Sequence, residues 1–261
     1  MKKDTIVPLS DQAKAVLFGS LLGDGSLNKP SEYTNARFQM RHSEKQAEYF
    51  FWKANALKEI AAPISVFKQK KDGYSENNKL RFSSKAIPSL TELYKLTYKK
   101  GKLNIRRKWL NQMTALSLAI WWCDDGSLIS NSRKGVICTD GFDKQSVKIL
   151  SQYFSSVWKI RTIVAPVGRK RDGRRDEYWR IWIRSTEELK KFLRIIIPYI
   201  PVESMLSKVL LIYDDYQLQQ RWISEVSKLS KFSETIVKKQ LELKKSKWKR
   251  YSSENDIVQS S

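Results

Sequence analysis

At 261 residues and 41% hydrophobic content, the chain can bury one large core or two of about 100 residues each, and its 49 Lys and Arg against 27 Asp and Glu leave a formal charge of +22. That excess of base selects a polyanion as partner, as in a nucleic-acid-binding enzyme or a ribosomal or other RNA-associated protein. No run of about 18 apolar residues exists, which excludes a membrane-spanning helix, and Met1 to Pro8 has neither an apolar signal region nor the Arg-rich character of a transit peptide.

In chain order, Ser10 is a fitting N-cap for a helix from about residue 11 to 24 that ends Leu22-Gly23-Asp24-Gly25. A glycine just past a helix suits a left-handed stop. Asp24 is thereby left at the carbonyl end of the helix, where the helix dipole opposes a carboxylate and a divalent cation would remove the conflict. From Ala36 to Arg41 apolar and polar residues alternate, the pattern of a half-buried strand with a basic face. Ser43 to Gln46 reads as a capping box opening a helix to about Glu59, with Phe50, Phe51, Ala54 and Leu57 as its apolar stripe. Strands follow over 64–70 and 79–83, joined by a turn containing Asp72-Gly73, and a helix from about Ala86 to Tyr98 closes a first half assigned to residues 9–99. A basic connection, 100–113, comes next.

The pattern then repeats. Leu118 to Gly126 is a second apolar helix ending in an acid and a glycine, and Asp125 follows Asp24 by 101 residues (125 − 24). A strand pair lies near 127–139, Asp143 caps a helix to Trp158, and strands over 160–167 and 178–184 flank a second Asp-Gly turn, Asp172-Gly173. Ser185 to Glu188 is another capping box, opening a helix that ends before Pro198. The second half is assigned to 114–227 and a basic Lys/Ser-rich tail to 228–261, with 251–261 expected to be disordered. Gly19 and Gly23 share one face of the first helix, as Ala119 and Cys123 do of the second, so the two helices can approach closely and bring both acids to one end. Cys123 and Cys138 lack metal-ligand spacing and read as reduced core residues. Asp214-Asp215 repeats the double acid without the glycine and reads as a helix-surface or packing pair.

Two antiparallel sheets with basic faces can form a saddle over a duplex, where strand ribbons fit the major groove. The candidate readers are Arg37, Gln39, Arg41, Lys68, Lys70, Lys79 and Arg81 in the first half, and Arg180, Trp182 and Arg184 in the second. Lys70, Arg169 and Arg171, near the hairpin tips, suit phosphates.

The doubled motif, best seen in Ser117-Leu-Ala-Ile-Trp-Trp-Cys-Asp-Asp-Gly-Ser127, resembles that of the single-chain, two-motif LAGLIDADG homing endonucleases, and the resemblance covers roughly residues 9–225. It implies an α+β fold of two pseudo-symmetric αββαββα halves, each with a curved antiparallel sheet forming a DNA-binding saddle. It also implies a monomer that hydrolyses both strands of a long, pseudo-palindromic or asymmetric DNA site of about 20 base pairs. The resemblance makes Asp24 and Asp125 ligands of Mg²⁺, for which Mn²⁺ or Ca²⁺ would substitute in binding, with carbonyls of Gly23 and Asp124 as further oxygen ligands. Lys102 and Lys208 fall where the family carries a basic residue in each half, and His42 and Asp140 where it often carries Gln or Asn near the metal-bound water. Asp140 departs from that amide pattern. The family also implies an intracellular protein, in a mitochondrion or chloroplast. An intron RNA maturase and a cleavage-dead DNA-binding protein are the alternatives. The chain neither starts with Cys or Ser nor ends in His-Asn, which argues against an intein.

Overall fold

Ser10 begins the first helix, α1 (Asp11–Leu22), its hydroxyl accepting a hydrogen bond from the Ala13 amide at 3.2 Å. The helix is buried from Ala15 to Leu22, as a segment apolar on every side must be. In the computed structural model, which describes residues 7–69, 78–129, 132–171 and 174–258, α1 is followed by β1 (Gly25–Asn28), β2 (Arg37–Ser43), α2 (Ala47–Ala56), β3 (Ala61–Gln69), β4 (Lys79–Ser84) and α3 (Pro88–Thr97). A small hairpin, β5 (Tyr98–Lys99) with β6 (Lys102–Leu103), and α4 (Arg107–Leu110) lead to the second half. There α5 (Ala115–Asp125) precedes β7 (Gly126–Ile129), β8 (Lys134–Ile137), α6 (Lys144–Tyr153), β9 (Ile163–Arg171), β10 (Arg174–Ile183) and α7 (Thr186–Ile196). The order αββαββα thus occurs twice. The sheets run β1-β2-β4-β3 and β7-β8-β10-β9, with antiparallel pairing throughout.

The halves meet where α1 packs on α5, and small residues set how close they come. A Cβ at Gly23 would lie 2.6 Å from Asp124 Oδ2, and one at Gly19 would lie 2.7 Å from Ile120 Cβ. The glycines after the acids have a different role from the one expected. Neither Gly25 nor Gly126 has positive φ, and Gly126 sits at φ −77°, ψ 148° as the first residue of β7. What excludes a side chain there is packing: a Cβ at Gly25 would meet the Phe38 ring at 2.7 Å, and one at Gly126 the Trp122 ring.

Other expectations need correction. Ser43 caps a single 3₁₀ turn (Glu44–Gln46) by accepting from Lys45 N at 3.3 Å, and the Gln46 side chain turns instead to His42. On α2, Phe51 is 51% exposed while Tyr49, Phe50 and Lys53 are buried. The basic connection opens with a two-residue hairpin turn, where Lys100 (φ 50°) and Gly101 (φ 76°) both take the positive φ of a type I′ turn, and goes on through β6 and α4. Asp215 is the N-cap of α8 (Tyr216–Leu229), accepting from Leu218 N at 2.7 Å, which accounts for part of the second double acid. The basic tail contains the end of α8 and a long helix, α9 (Glu234–Val258), so helix runs into the segment expected to be disordered. Asp143 and Ser185 cap α6 and α7 as expected. Both Asp-Gly turns and Lys70 lie outside the described residues. Among the described residues no helix is long and apolar enough to cross a membrane.

Gly23→Ala should destabilise the fold by about 1–3 kcal/mol, because the added methyl must displace Asp124 at a close-packed helix contact. Gly141→Ala, where a Cβ would have no neighbour within 4 Å, should change stability by less than about 0.5 kcal/mol. Urea denaturation of the two variants checks the difference.

Candidate active site

Asp24 directly follows the α1 cap residue Gly23, and Asp125 is the last residue of α5, so the two helices deliver both acids to one end of their contact. Burial, then the charge of Asp124, lifts Asp24 from an ordinary 3.8 to about 6, against the lowering effect of Lys53 and Lys208. Burial, then the charge of Asp24, lifts Asp125 from 3.8 to about 7. Hard carboxylate oxygens crowded in this way suit a divalent cation, whose charge would reverse both shifts.

Beside them a buried network joins His42 and Asp124 to Lys53 and Tyr49. Lys53, from α2 of the first half, reaches Asp124 of the second at 2.9 and 3.1 Å, and both side chains are fully buried. Tyr49 donates to the same carboxylate at 2.8 Å and the Asp24 amide does so at 3.2 Å. Lys53 Nζ also lies 3.4 Å from His42 Nε2, while His42 Nδ1 is 3.3 Å from Gln46 Oε1 and 3.5 Å from Asp24 Oδ2. Burial and the neighbouring Lys53 charge lower His42 from 6.5 to about 4, so the ring is neutral at neutral pH. An ammonium at Nε2 leaves the ring proton on Nδ1, where it can be donated to Gln46 Oε1. Ligand atoms of Asp24, His42 and Asp124 fall within 4.8 Å of one another, but Lys53 already serves that cluster as its cation. The sequence did carry a signal for Lys53: it stands three residues after Phe50 and four before Leu57, on the buried stripe of α2.

Lys208 reaches the site, donating to the Gly126 carbonyl at 2.6 Å, and its charge lowers both Asp24 and Asp125. Lys102 is exposed on β6, beside Leu103, which borders a cleft of about 380 Å³ shared with Gly23, Asp125 and Asp140. His42 and Asp140 are not counterparts. Gly25 pairs with Met40 and Gly126 with Ile137, so the residue matching His42 is Thr139, and Asp140 lies one step beyond. Asp140 instead takes a two-pronged ion pair from Arg180 at 2.7 and 2.6 Å.

On the first sheet Arg37, Gln39, Lys68 and Arg81 line one groove of about 510 Å³. Its apolar part is Ile64 (72% exposed) and Phe67 (45%), which strict alternation would place on opposite faces of β3, where the register shifts between Ala61 and Val66. Arg41 is exposed on β2, Lys79 lies on the Arg81 side of β4, and Lys68 also pairs with Glu44 at 2.6 Å. The second sheet differs: Arg180 is held by Asp140, and the Arg184 guanidinium lies 5.9 Å from the half-buried Trp182 ring. Arg169 and Arg171 belong to β9, and their side chains are outside the described set.

Residues 14–192 match the model of the LAGLIDADG DNA endonuclease family. The DNA endonuclease I-ChuI of Chlamydomonas applanata is 26% identical over 170 residues, covering 59% of this chain and 76% of that protein. A RecA protein of Mycolicibacterium flavescens is 29% identical over 205 residues, and the match spans 73% of this chain but only 45% of that protein. Among solved structures, the homing endonuclease I-WcaI bound to its DNA recognition sequence superposes with a TM-score of 0.67 at 20% identity, over 81% of this chain and 91% of the other.

Two outcomes test the electrostatics. Lys53→Met should cost about 3–5 kcal/mol by leaving Asp124 buried and unpaired, and Asp124→Asn in the same chain should recover most of that loss in urea titrations. Asp125 has a folded pKa above its unfolded value, so the folded state binds the proton more tightly and this group's contribution to stability is lost as pH rises from about 4 to about 7. In EDTA, Asp125→Asn should therefore melt higher than wild type at pH 8, by about 2–4 °C per kcal/mol of repulsion relieved, with the gap closing toward pH 4.

Proposed function

The chain belongs to the LAGLIDADG DNA endonuclease family, and from that premise we propose that it is a monomeric, Mg²⁺-dependent homing endonuclease that cuts both strands of a long DNA site. The observation that carries this reading is the convergence of Asp24 and Asp125, one from each half, with Lys208 beside them. One chain of two halves, divided at 9–99 and 114–227, holds both acids, which is what a monomer needs to address two scissile phosphates.

The basic faces of the two sheets would lie in successive major grooves, with the groove of Arg37, Gln39 and Arg81 reading base edges and the exposed Ile64 and Phe67 meeting thymine methyl groups. Asp24 and Asp125, with the carbonyls of Gly23 and Asp124, would hold the divalent cations. Bound there, such ions supply an activated water and neutralise charge at phosphorus. Lys208 adds a fixed positive charge at the Gly126 end of α5. Neutral His42, its Nδ1 3.3 Å from Gln46 Oε1 and 3.5 Å from Asp24 Oδ2, stands beside the Asp24 carboxylate near where the metal-bound water would lie. Arg180 would reach the DNA only by exchanging its bond to Asp140 for one to a base or phosphate.

Sites selected from a randomised duplex library in Mg²⁺ provide the substrate for the test. Asp24→Asn and Asp125→Asn should each lose double-strand cleavage while keeping DNA affinity, since the amide retains size but not the charge that holds metal. Full cutting by either variant would remove that acid from catalysis. Salt-resistant binding of a structured intron RNA, with no duplex cut in Mg²⁺ or Mn²⁺, would replace this reading with the maturase.

A further inference from the structure

The 3₁₀ turn Glu203–Lys208 places Lys208, yet donors from several other elements fix its backbone. The Trp122 indole of α5 donates to the Lys208 carbonyl at 2.8 Å, and the Trp222 indole of α8 donates to the Val209 carbonyl at 3.1 Å. Lys244, on α9, donates to the Ser207 carbonyl at 2.9 Å and to the Leu210 carbonyl at 2.7 Å, so a single ammonium brackets Lys208 from both sides. From within that bracket Lys208 reaches Gly126, the residue after Asp125.

Docking of α9 does not require a lysine at this position. Val237 and Leu241 are buried and fix the helix apolarly, and residue 244, three beyond Leu241, could extend that stripe with a Leu or Met. Withdrawing an ammonium from water is unfavourable unless its hydrogen bonds are replaced, and here two backbone carbonyls replace them. Burial, then the charge of Lys208, pushes Lys244 down to about 7, which agrees with two ammonium groups held close together. The helix lies beyond residues 14–192, the part of the chain that matches the family.

We propose that Lys244 is a positioning residue for Lys208, which makes α9 part of the cleavage machinery of the second half. This inference rests on the endonuclease reading. Lys208 belongs to one half, so its displacement should affect one of the two scissile phosphates more than the other.

Single-turnover cleavage of a duplex labelled on each strand separately tests this, with Lys244→Met, Lys208→Met and the double variant compared with wild type. The expected result is a rate loss of about 10–100-fold on one strand in Lys244→Met, the size that a small misplacement of a catalytic group produces. The same strand should be slowed in Lys208→Met, DNA affinity should stay unchanged, and the double variant should be no slower than Lys208→Met alone. If Lys244→Met does not fold, Lys244→Gln, which keeps one donor for a carbonyl, carries the comparison with a smaller loss on that strand. Equal slowing of both strands, additive losses, or lost affinity at an unchanged rate would each overturn the inference while leaving the endonuclease reading standing. A wild-type protein that cuts no duplex would instead sink that reading, and this inference with it.

Discussion

The close approach of α1 to α5 is the constraint from which the site follows. Gly19 and Gly23 let the helices come near enough for the end of one to touch the end of the other, and that contact crowds the carboxylates of Asp24, Asp124 and Asp125 into one partly buried space. Such crowding is unfavourable in the low dielectric of a protein interior. Lys53 relieves it for Asp124 by extending from the first half into the second. The remaining two acids keep their raised affinity for protons. The contact that joins the halves therefore also creates the chemistry between them.

The two halves share an architecture but not an electrostatic environment. By the alignment of Asp24 with Asp125, the second half carries Asp124 where the first carries Gly23, and the missing Cβ of one makes room for the carboxylate of the other. Buried His42 of the first half is matched by Thr139, which donates its hydroxyl to the Trp179 carbonyl. Beside Asp125 stands an Asp140–Arg180 pair, and beside Asp24 a neutral histidine. Burial raises both acids first, and of the nearby charges Lys53 and Lys208 lower Asp24 while Lys208 lowers Asp125. A duplicated chain is free to diverge in this way, because each half needs only to complement its neighbour and not a copy of itself.

Much of this was legible in the sequence, and the failures have physical causes. The repeat of acid and glycine at a separation of 101 residues, the period-two run in Ala36–Arg41 and the caps at Ser10, Asp143 and Ser185 all rest on local rules, and the architecture they imply is the one observed. Gly25 and Gly126 were located correctly but for the wrong reason, since aromatic rings and not backbone angles exclude a side chain there. A lysine on an apolar stripe normally snorkels to water, and the partner that holds Lys53 in the interior lies 71 residues away in the other half. The Asp140–Arg180 pair and the bracket around Lys208 are likewise contacts between distant segments, which spacing along the chain does not encode.

The central claim is that the cation site is built by Asp24 and Asp125, while Lys53 already neutralises Asp124. Anomalous diffraction from crystals of the protein soaked in Mn²⁺ examines this directly. The account predicts anomalous density in contact with the Asp24 and Asp125 carboxylates, with the Lys53 ammonium still on Asp124. Density on Asp124 and His42 with Lys53 displaced, and none at Asp125, would contradict it.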